Sequence, residues 1–338
     1  MNARRFVKYI SAGRIRNEFI IDRTGKAKNG VLGGSLLYAA SALNHWGGPT
    51  GLLGVINDDF PPYRISSLEQ HHLDIRGIKT IPERMNPNTF FAYPGENTCV
   101  QDNPVALYAA NNLLIPRELL EYPGSEENKT AEDKSLVNRF FLDDIPIDYL
   151  DSSAAHICAI DTSAQLQLSA LLQRGSIRTI SIQLHPSGMV PDMFEEIAIL
   201  SKDTAAIITK EADLRSLFQG TTEDLWEMME RLSSYGCLNV IVKNAMSAYS
   251  LYERNYGKRY RVPEYPVKKL DPTGEMDVFS GAFLAGLHET NDSLHALILA
   301  AAAASIKAEG TGPFSIEDSL PGLDLARMES LRSKIVQY

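Results

Sequence analysis

The sequence predicts an α/β protein built on a doubly wound, mostly parallel sheet with helices on both faces. From residue 154 onward, short apolar runs alternate with helical stretches of one to three turns. That is the pattern of buried parallel strands and the helices that cover them. The last third then adds two strongly apolar helical stretches, over 276–287 and 293–308. No repeat of 20–50 residues interrupts the pattern, so the 338 residues read as a single domain with a β-rich opening third as an appendage.

In chain order, 5–12 and 18–22 read as strands, with a Gly/Lys-rich turn after them over 24–30. Gly33-Gly34 lead into a helix over 35–46, whose apolar residues recur at helical spacing. Residues 51–56 form an apolar strand that ends in Asn57-Asp58-Asp59; 68–73 read as helical, and 75–81 and 89–93 as extended. Between 121 and 135 the chain turns polar, Gly-Ser-Glu-Glu-Asn-Lys-Thr, and reads as a solvated surface loop. Strands come next over 155–160, 178–182, 205–208, 239–243 and 248–253, with helices over 163–174, 192–201, 211–218 and 222–235.

A formal charge of −9 argues against nucleic acid or an anionic membrane surface as the main partner. Cys99, Cys158 and Cys237 are odd in number and widely spaced, which fits a reducing, cytoplasmic setting better than a disulfide framework. No N-terminal apolar segment resembles a signal peptide, and the longest apolar run, 297–306, is too short to span a bilayer. The seven histidines show no metal-ligand spacing. Gly-x-x-x-x-Gly-Lys-Ser/Thr and Gly-x-Gly-x-x-Gly are both missing, which counts against a P-loop and against a nicotinamide-binding dehydrogenase.

The segment that carries chemistry is Asp271-Pro-Thr-Gly-Glu-Met-Asp277, which opens the apolar stretch from Val278. First-turn amides lack intrahelical partners and the helix dipole adds positive potential, so an anion binds well there. Glu275 and Asp277 also suit the first turn of any helix. Acids at the amino end of a buried helix are nevertheless costly unless a ligand or cation balances them.

With Gly33-Gly34-Ser-Leu-Leu-Tyr38, Gly51-Leu-Leu-Gly-Val-Ile-Asn-Asp-Asp59 and Gly13-Arg-Ile-Arg-Asn-Glu18, this segment resembles the ribokinase-like (PfkB) carbohydrate kinases from about Gly13 to Ala308. The resemblance implies ATP- and Mg²⁺-dependent phosphorylation of a hydroxyl on a small sugar, sugar acid or nucleoside. Asp277 would be the base, and the amides of Gly274, Glu275 and Met276 the anion hole. Glu18, Gly33, Gly34 and Tyr38 would bind the acceptor. Lys210, Lys243, Ala245, Ala248 and Gly310 would lie along the nucleotide, with Asp213 toward the metal. Two β segments, about 14–31 and 84–106, would form a lid, through whose edge two copies could pair.

The chain departs from the family pattern at defined places. Glu275-Met276 replace Ala-Gly, Lys210-Glu-Ala-Asp213 replaces Asn-x-x-Glu, and Ala245-Met-Ser-Ala248 replaces Gly-x-x-Gly. Glu18 and Tyr38 stand for Asp and Asn. A like charge about 4 Å from a phosphate, at an effective dielectric of about 20, costs about 4 kcal/mol. Two readings result: an active kinase, or a catalytically weakened relative that binds a sugar or nucleotide as a sensor or structural partner. An unpaired Glu275 facing the phosphate site would favour the second.

Overall fold

Apolar strands that alternate with helices bury both faces of a sheet, and the chain does this with strands of four to nine residues. A computed structural model describes residues 6–58, 60–82, 86–95, 98–122 and 144–338. The larger sheet has ten strands. Seven are parallel: β5 (Leu73–Ile81), β4 (Thr50–Asn57), β1 (Tyr9–Ala12), β8 (Ala154–Ile157), β9 (Thr179–Gln183), β10 (Ala206–Lys210) and β11 (Asn239–Asn244), in that spatial order. An antiparallel edge of β12 (Ala248–Glu253), β13 (Lys258–Pro263) and β14 (Val336–Gln337) completes it. A second sheet of four strands contains β3 (Ala27–Gly33), β2 (Arg16–Ile21), β6 (Asn88–Gly95) and β7 (Thr98–Val100), a size and place compatible with a lid.

Helix α1 (Ser35–Trp46) and the helices Glu275–Thr290 and Ser293–Ala308 share one apolar cluster, with Tyr38, Ala42, Phe279, Phe283 and the alanine run 300–304 buried together. The opposite face of the sheet is covered by Thr162–Leu172, Phe194–Ser201 and Leu225–Ser234. Among the described residues no helix is long and apolar enough to cross a membrane.

Two expected elements differ. The stretch over 68–73 is a 3₁₀ turn, Ser67–His71, closed by His72 at φ 59°, and Leu73 already belongs to β5. The left-handed backbone at His72 stops the helix and lets the chain enter the sheet. The turn expected over 24–30 is confined to its start, because Ala27–Gly33 pairs with β2 as an edge strand. Most of the expected polar loop over 121–135 lies outside the described residues.

Candidate active site

From β1 the chain builds β4 and β5 on one side, then returns to build β8 to β11 on the other. Loops leaving β1 and β8 therefore diverge and open a crevice at the carboxyl edge of the sheet, where ligands bind in such folds. A cavity of about 400 Å³ lies there, lined by Arg14 after β1, Ala159 after β8, Gln183 at the end of β9 and Lys210 at the end of β10. A second cavity of about 470 Å³ reaches Lys243 and Ala245 at the end of β11. Lys210, Tyr93, Pro272, Glu275 and Met276 line both, so the two meet at the turn that starts the Glu275–Thr290 helix.

Glu18 forms the floor of the first cavity and is 2% exposed. Its Oε1 accepts from the Gly34 amide at 2.8 Å and its Oε2 from the Tyr38 hydroxyl at 2.7 Å. The glycine pair permits this contact. A Cβ on Gly33 would stand 2.2 Å from Glu18 Oε2, and Gly34, at φ +96°, would drive one to 2.3 Å from the Arg14 carbonyl. Burial pushes the Glu18 carboxyl up to about 7 against the opposing bonds from Tyr38 and Gly34, with the Asp271 charge pushing the same way.

A carboxyl whose folded pKa lies above its unfolded value contributes stability that is complete below the unfolded pKa and is lost as pH rises through the folded one. Glu18 therefore favours the fold near pH 4.5 and opposes it above about 7. The stability of wild type relative to Glu18→Gln is expected to fall by on the order of 3 kcal/mol across that window. Urea unfolding at several pH values reads it; a difference independent of pH would show that Glu18 is not held in a carboxylate-hostile site.

Asp277 lies in the first turn of the Glu275–Thr290 helix and opens onto the first cavity. Enclosure by protein pushes its carboxyl up to about 6, against a hydrogen bond from Gln183 and the charge of Lys210. The other end of the Gln183 amide lies 2.8 Å from the Ser280 hydroxyl, which ties the amide to the same helix.

Gly274 precedes the helix at φ +72°, and a Cβ there would sit 2.2 Å from the Tyr38 ring. The first bond of the helix runs from the Val278 amide to the Gly274 carbonyl at 2.9 Å. Of the three amides expected in an anion hole, that of Glu275 already donates to the Pro272 carbonyl at 3.1 Å.

Glu275 is 6% exposed and does not stand alone. Lys243 Nζ lies 3.1 Å and Lys269 Nζ 2.9 Å from its Oε1, and both lysines also pair with Glu264, at 3.0 and 2.9 Å. The negative charge that the sequence places beside the anion site is thus neutralised within a group of two lysines and two glutamates. Met276 lines both cavities as their shared apolar wall.

The remaining predicted residues divide. Lys210 is exposed and lines both cavities; Lys243 and Ala245 line the second. Asp213 sits in the first turn of the Glu211–Leu217 helix and lines neither cavity; burial raises its carboxyl while Lys210 lowers it. Ala248 is buried at the start of β12, and Gly310 lines a separate cavity with Lys28, His71 and Phe314, so the structure brings neither to the second cavity. The Ala245–Ala248 stretch is a hairpin whose left-handed residue is Ser247, φ 51°. The unusual backbone falls between the two alanines, so they impose no strain.

Gln183, Lys269 and Lys307 went unread in the sequence. Gln183 gave no signal beyond a polar residue closing an apolar strand, and Lys269 none at all. Lys307 could have been found, because it is the one charge in an otherwise apolar helical stretch.

Two joined cavities, a carboxylate at the start of a buried helix and an amide-bearing turn thus meet at the carboxyl edge of a doubly wound sheet. Residues 24–318 match the pfkB family of carbohydrate kinases, and the chain belongs to that family. It is 24% identical over 260 residues to a cytidine kinase of Thermococcus kodakarensis, covering 75% of this chain and 79% of that one. It is also 24% identical over 301 residues to a 5-dehydro-2-deoxygluconokinase of Clostridium perfringens, covering 82% and 78%. Its fold is similar to an E. coli structure described as a ribokinase II in complex with ATP and Mg²⁺, with a TM-score of 0.68 at 19% identity over 97% of this chain and 99% of that one.

Proposed function

We propose that this protein transfers the terminal phosphoryl group of ATP to a hydroxyl of a small sugar, sugar acid or nucleoside. The observation that carries the reading is the junction itself: one cavity holds Glu18 and Asp277, the other Lys243 and Ala245, and the Pro272–Met276 turn forms part of both. Transfer between two ligands needs two sites that meet at the reacting group. Asp277 accepts the proton of the attacking hydroxyl as the new O–P bond forms. The bond from the γ-phosphorus to the β,γ-bridging oxygen breaks, and ADP leaves. The amides of Gly274 and Met276 face the phosphoryl oxygens, whose charge the transition state redistributes.

The four-stranded sheet acts as a lid, since Arg16, Glu18, Asn88 and Tyr93 on its strands line the first cavity. Arg14 and Arg16 place two guanidinium groups on that wall, which suits an acceptor with a carboxylate. The second cavity is lined by Arg23, Lys210, Lys243 and Lys269 together with Glu211 and Glu275; Arg23 and Lys210, the cations outside the neutral lysine–glutamate group, suit a polyphosphate. Among the described residues no three His, Cys, Asp or Glu side chains gather to hold a metal. Mg²⁺ would be carried mainly by the nucleotide phosphates, since it keeps waters and needs few protein carboxylates; Asp213, which lines neither cavity but shares a helix turn with Glu211 of the second, is the acid the family pattern would place toward it. When bound, Mg²⁺ neutralises phosphate charge.

An unpaired Glu275 would have favoured the sensor reading, and Lys243 and Lys269 pair it. Glu275→Gln changes the cluster from neutral to one positive charge, so ATP binding is expected to tighten about 3- to 10-fold at low salt and less at high salt. Isothermal titration at two ionic strengths checks this. Weaker binding in the variant would place Glu275 among the groups that hold the nucleotide.

The function is tested by ³¹P NMR of the protein with Mg²⁺-ATP and a panel of sugars, sugar acids and nucleosides. A new phosphate ester is expected with at least one acceptor class. No ester with any acceptor of the panel would overturn the reading, and no ATP binding at millimolar concentration would do so independently.

A further inference from the structure

Lys307 is fully buried, 0% exposed, one residue before the end of the Ser293–Ala308 helix. Its Nζ donates to the carbonyl of Asp271 and to that of Gly310, each at 3.0 Å, and lies 3.8 Å from Asp271 Oδ2. It also stands 5.4 Å from the centre of the Tyr38 ring, the ring that packs under Gly274. Isolated buried ammonium groups are costly, and this one is offset by the Asp271 and Glu18 carboxylates around it.

What the ammonium holds is the entry to the phosphate-binding turn. The amides of Leu270 and Asp271 both donate to the Ala308 carbonyl, at 2.7 and 3.1 Å, so the turn is docked on the carboxyl end of the same helix. Asp271 Oδ1 then accepts from the Thr273 amide at 2.9 Å, and the Thr273 hydroxyl lies 2.8 Å from that of Tyr93. Restraint passes from Lys307 to Asp271, to Thr273, and so to Gly274, whose left-handed backbone aims the amides that come after it.

We propose that Lys307 is a positioning residue, an ammonium tethered beneath the Asp271–Gly274 turn that fixes its backbone for anion binding. Two carbonyls and a carboxylate converge on the Nζ position, so truncating the side chain leaves a cage of oxygen atoms suited to a small alkylammonium ion. The inference rests on the kinase reading only for the identity of the anion, ATP.

Two variants test it. Lys307→Met keeps the volume without the charge; it is expected to fold, to bind ATP at least about tenfold more weakly, and to exchange its 271–277 amides faster. Lys307→Ala is expected to lose ATP affinity likewise and to recover most of it in methylammonium chloride but not in tetramethylammonium chloride at equal ionic strength. A folded Met variant with wild-type ATP affinity and wild-type exchange overturns the inference. So does failure of both variants to fold even with methylammonium, which would assign Lys307 to the core as a whole. If wild type binds no ATP, the kinase reading fails separately, and amide exchange over 271–277 still decides the role of Lys307.

Discussion

Asp277→Asn is expected to lower the rate of phosphoryl transfer by roughly 10²- to 10⁴-fold, the usual contribution of a positioned general base. The amide cannot accept the hydroxyl proton, while ATP binding, proposed to rest on the second cavity and the turn, is expected to survive. The pH profile supplies an independent check. A base with its pKa raised to about 6 is ionised above that value, so kcat/KM of wild type is expected to fall as pH drops through about 6 and to level off above it. The acid limb should be missing in the residual activity of the Asn variant.

Stability should move the opposite way. Because enclosure raises the folded pKa of Asp277 above its unfolded value of 3.8, its contribution is favourable at low pH and lost as pH rises through about 6. At pH 8 the Asn variant is therefore expected to be the more stable, by up to about 3 kcal/mol. A stabilised, inactive variant is the mark of a functional carboxylate held against its own preference. Full activity in Asp277→Asn would remove it from the base role.

Gly274→Val is expected to be the most damaging single change to the turn. At φ +72° a β-branched residue carries backbone strain of about 1–3 kcal/mol. A Cβ placed 2.2 Å from the Tyr38 ring forces that ring away, and with it the hydroxyl that Tyr38 donates to Glu18. Overpacking adds about 1–3 kcal/mol. Urea unfolding should show a loss of roughly 2–6 kcal/mol, and Glu18 should become easier to ionise as its pocket opens. An unchanged unfolding midpoint would mean that the turn is not seated on Tyr38.

Much of the sheet was legible because its strands are buried on both faces. Residues 205–208 and 239–243 are apolar runs bounded by polar turns, and they became Ala206–Lys210 and Asn239–Asn244. Strand Ala27–Gly33 was hidden because an edge strand in contact with solvent can be written in lysine, asparagine and glycine; only its pairing with β2 defines it. Lys258–Pro263, written Lys-Arg-Tyr-Arg-Val-Pro, was hidden by its charges and finds its place through the antiparallel hairpin with β12.

The site divides along the same line. Glu18, Gly33-Gly34 and Gly274–Asp277 were legible because each lies in a short motif whose glycines mark close approach or left-handed backbone. Gln183, Lys269 and Lys307 act across the fold. Gln183 meets the helical Asp277 from the end of β9, and Lys269 meets Glu275 from six residues away with a partner, Lys243, on β11. Spacing along the chain carries no trace of such meetings. Glu275 shows the consequence: as sequence it is a charge in the wrong place, and in the fold it is one member of a neutral cluster.

The most direct measurement is the rate of ³¹P-detected ester formation from Mg²⁺-ATP by wild type and by Asp277→Asn, side by side, across pH 5 to 8 with the best acceptor of the panel. Wild type should form the ester with an acid limb near pH 6, and the variant should be slower by about a hundredfold or more while still binding ATP. Equal rates in the two proteins, or no ester from wild type with any acceptor, would contradict it.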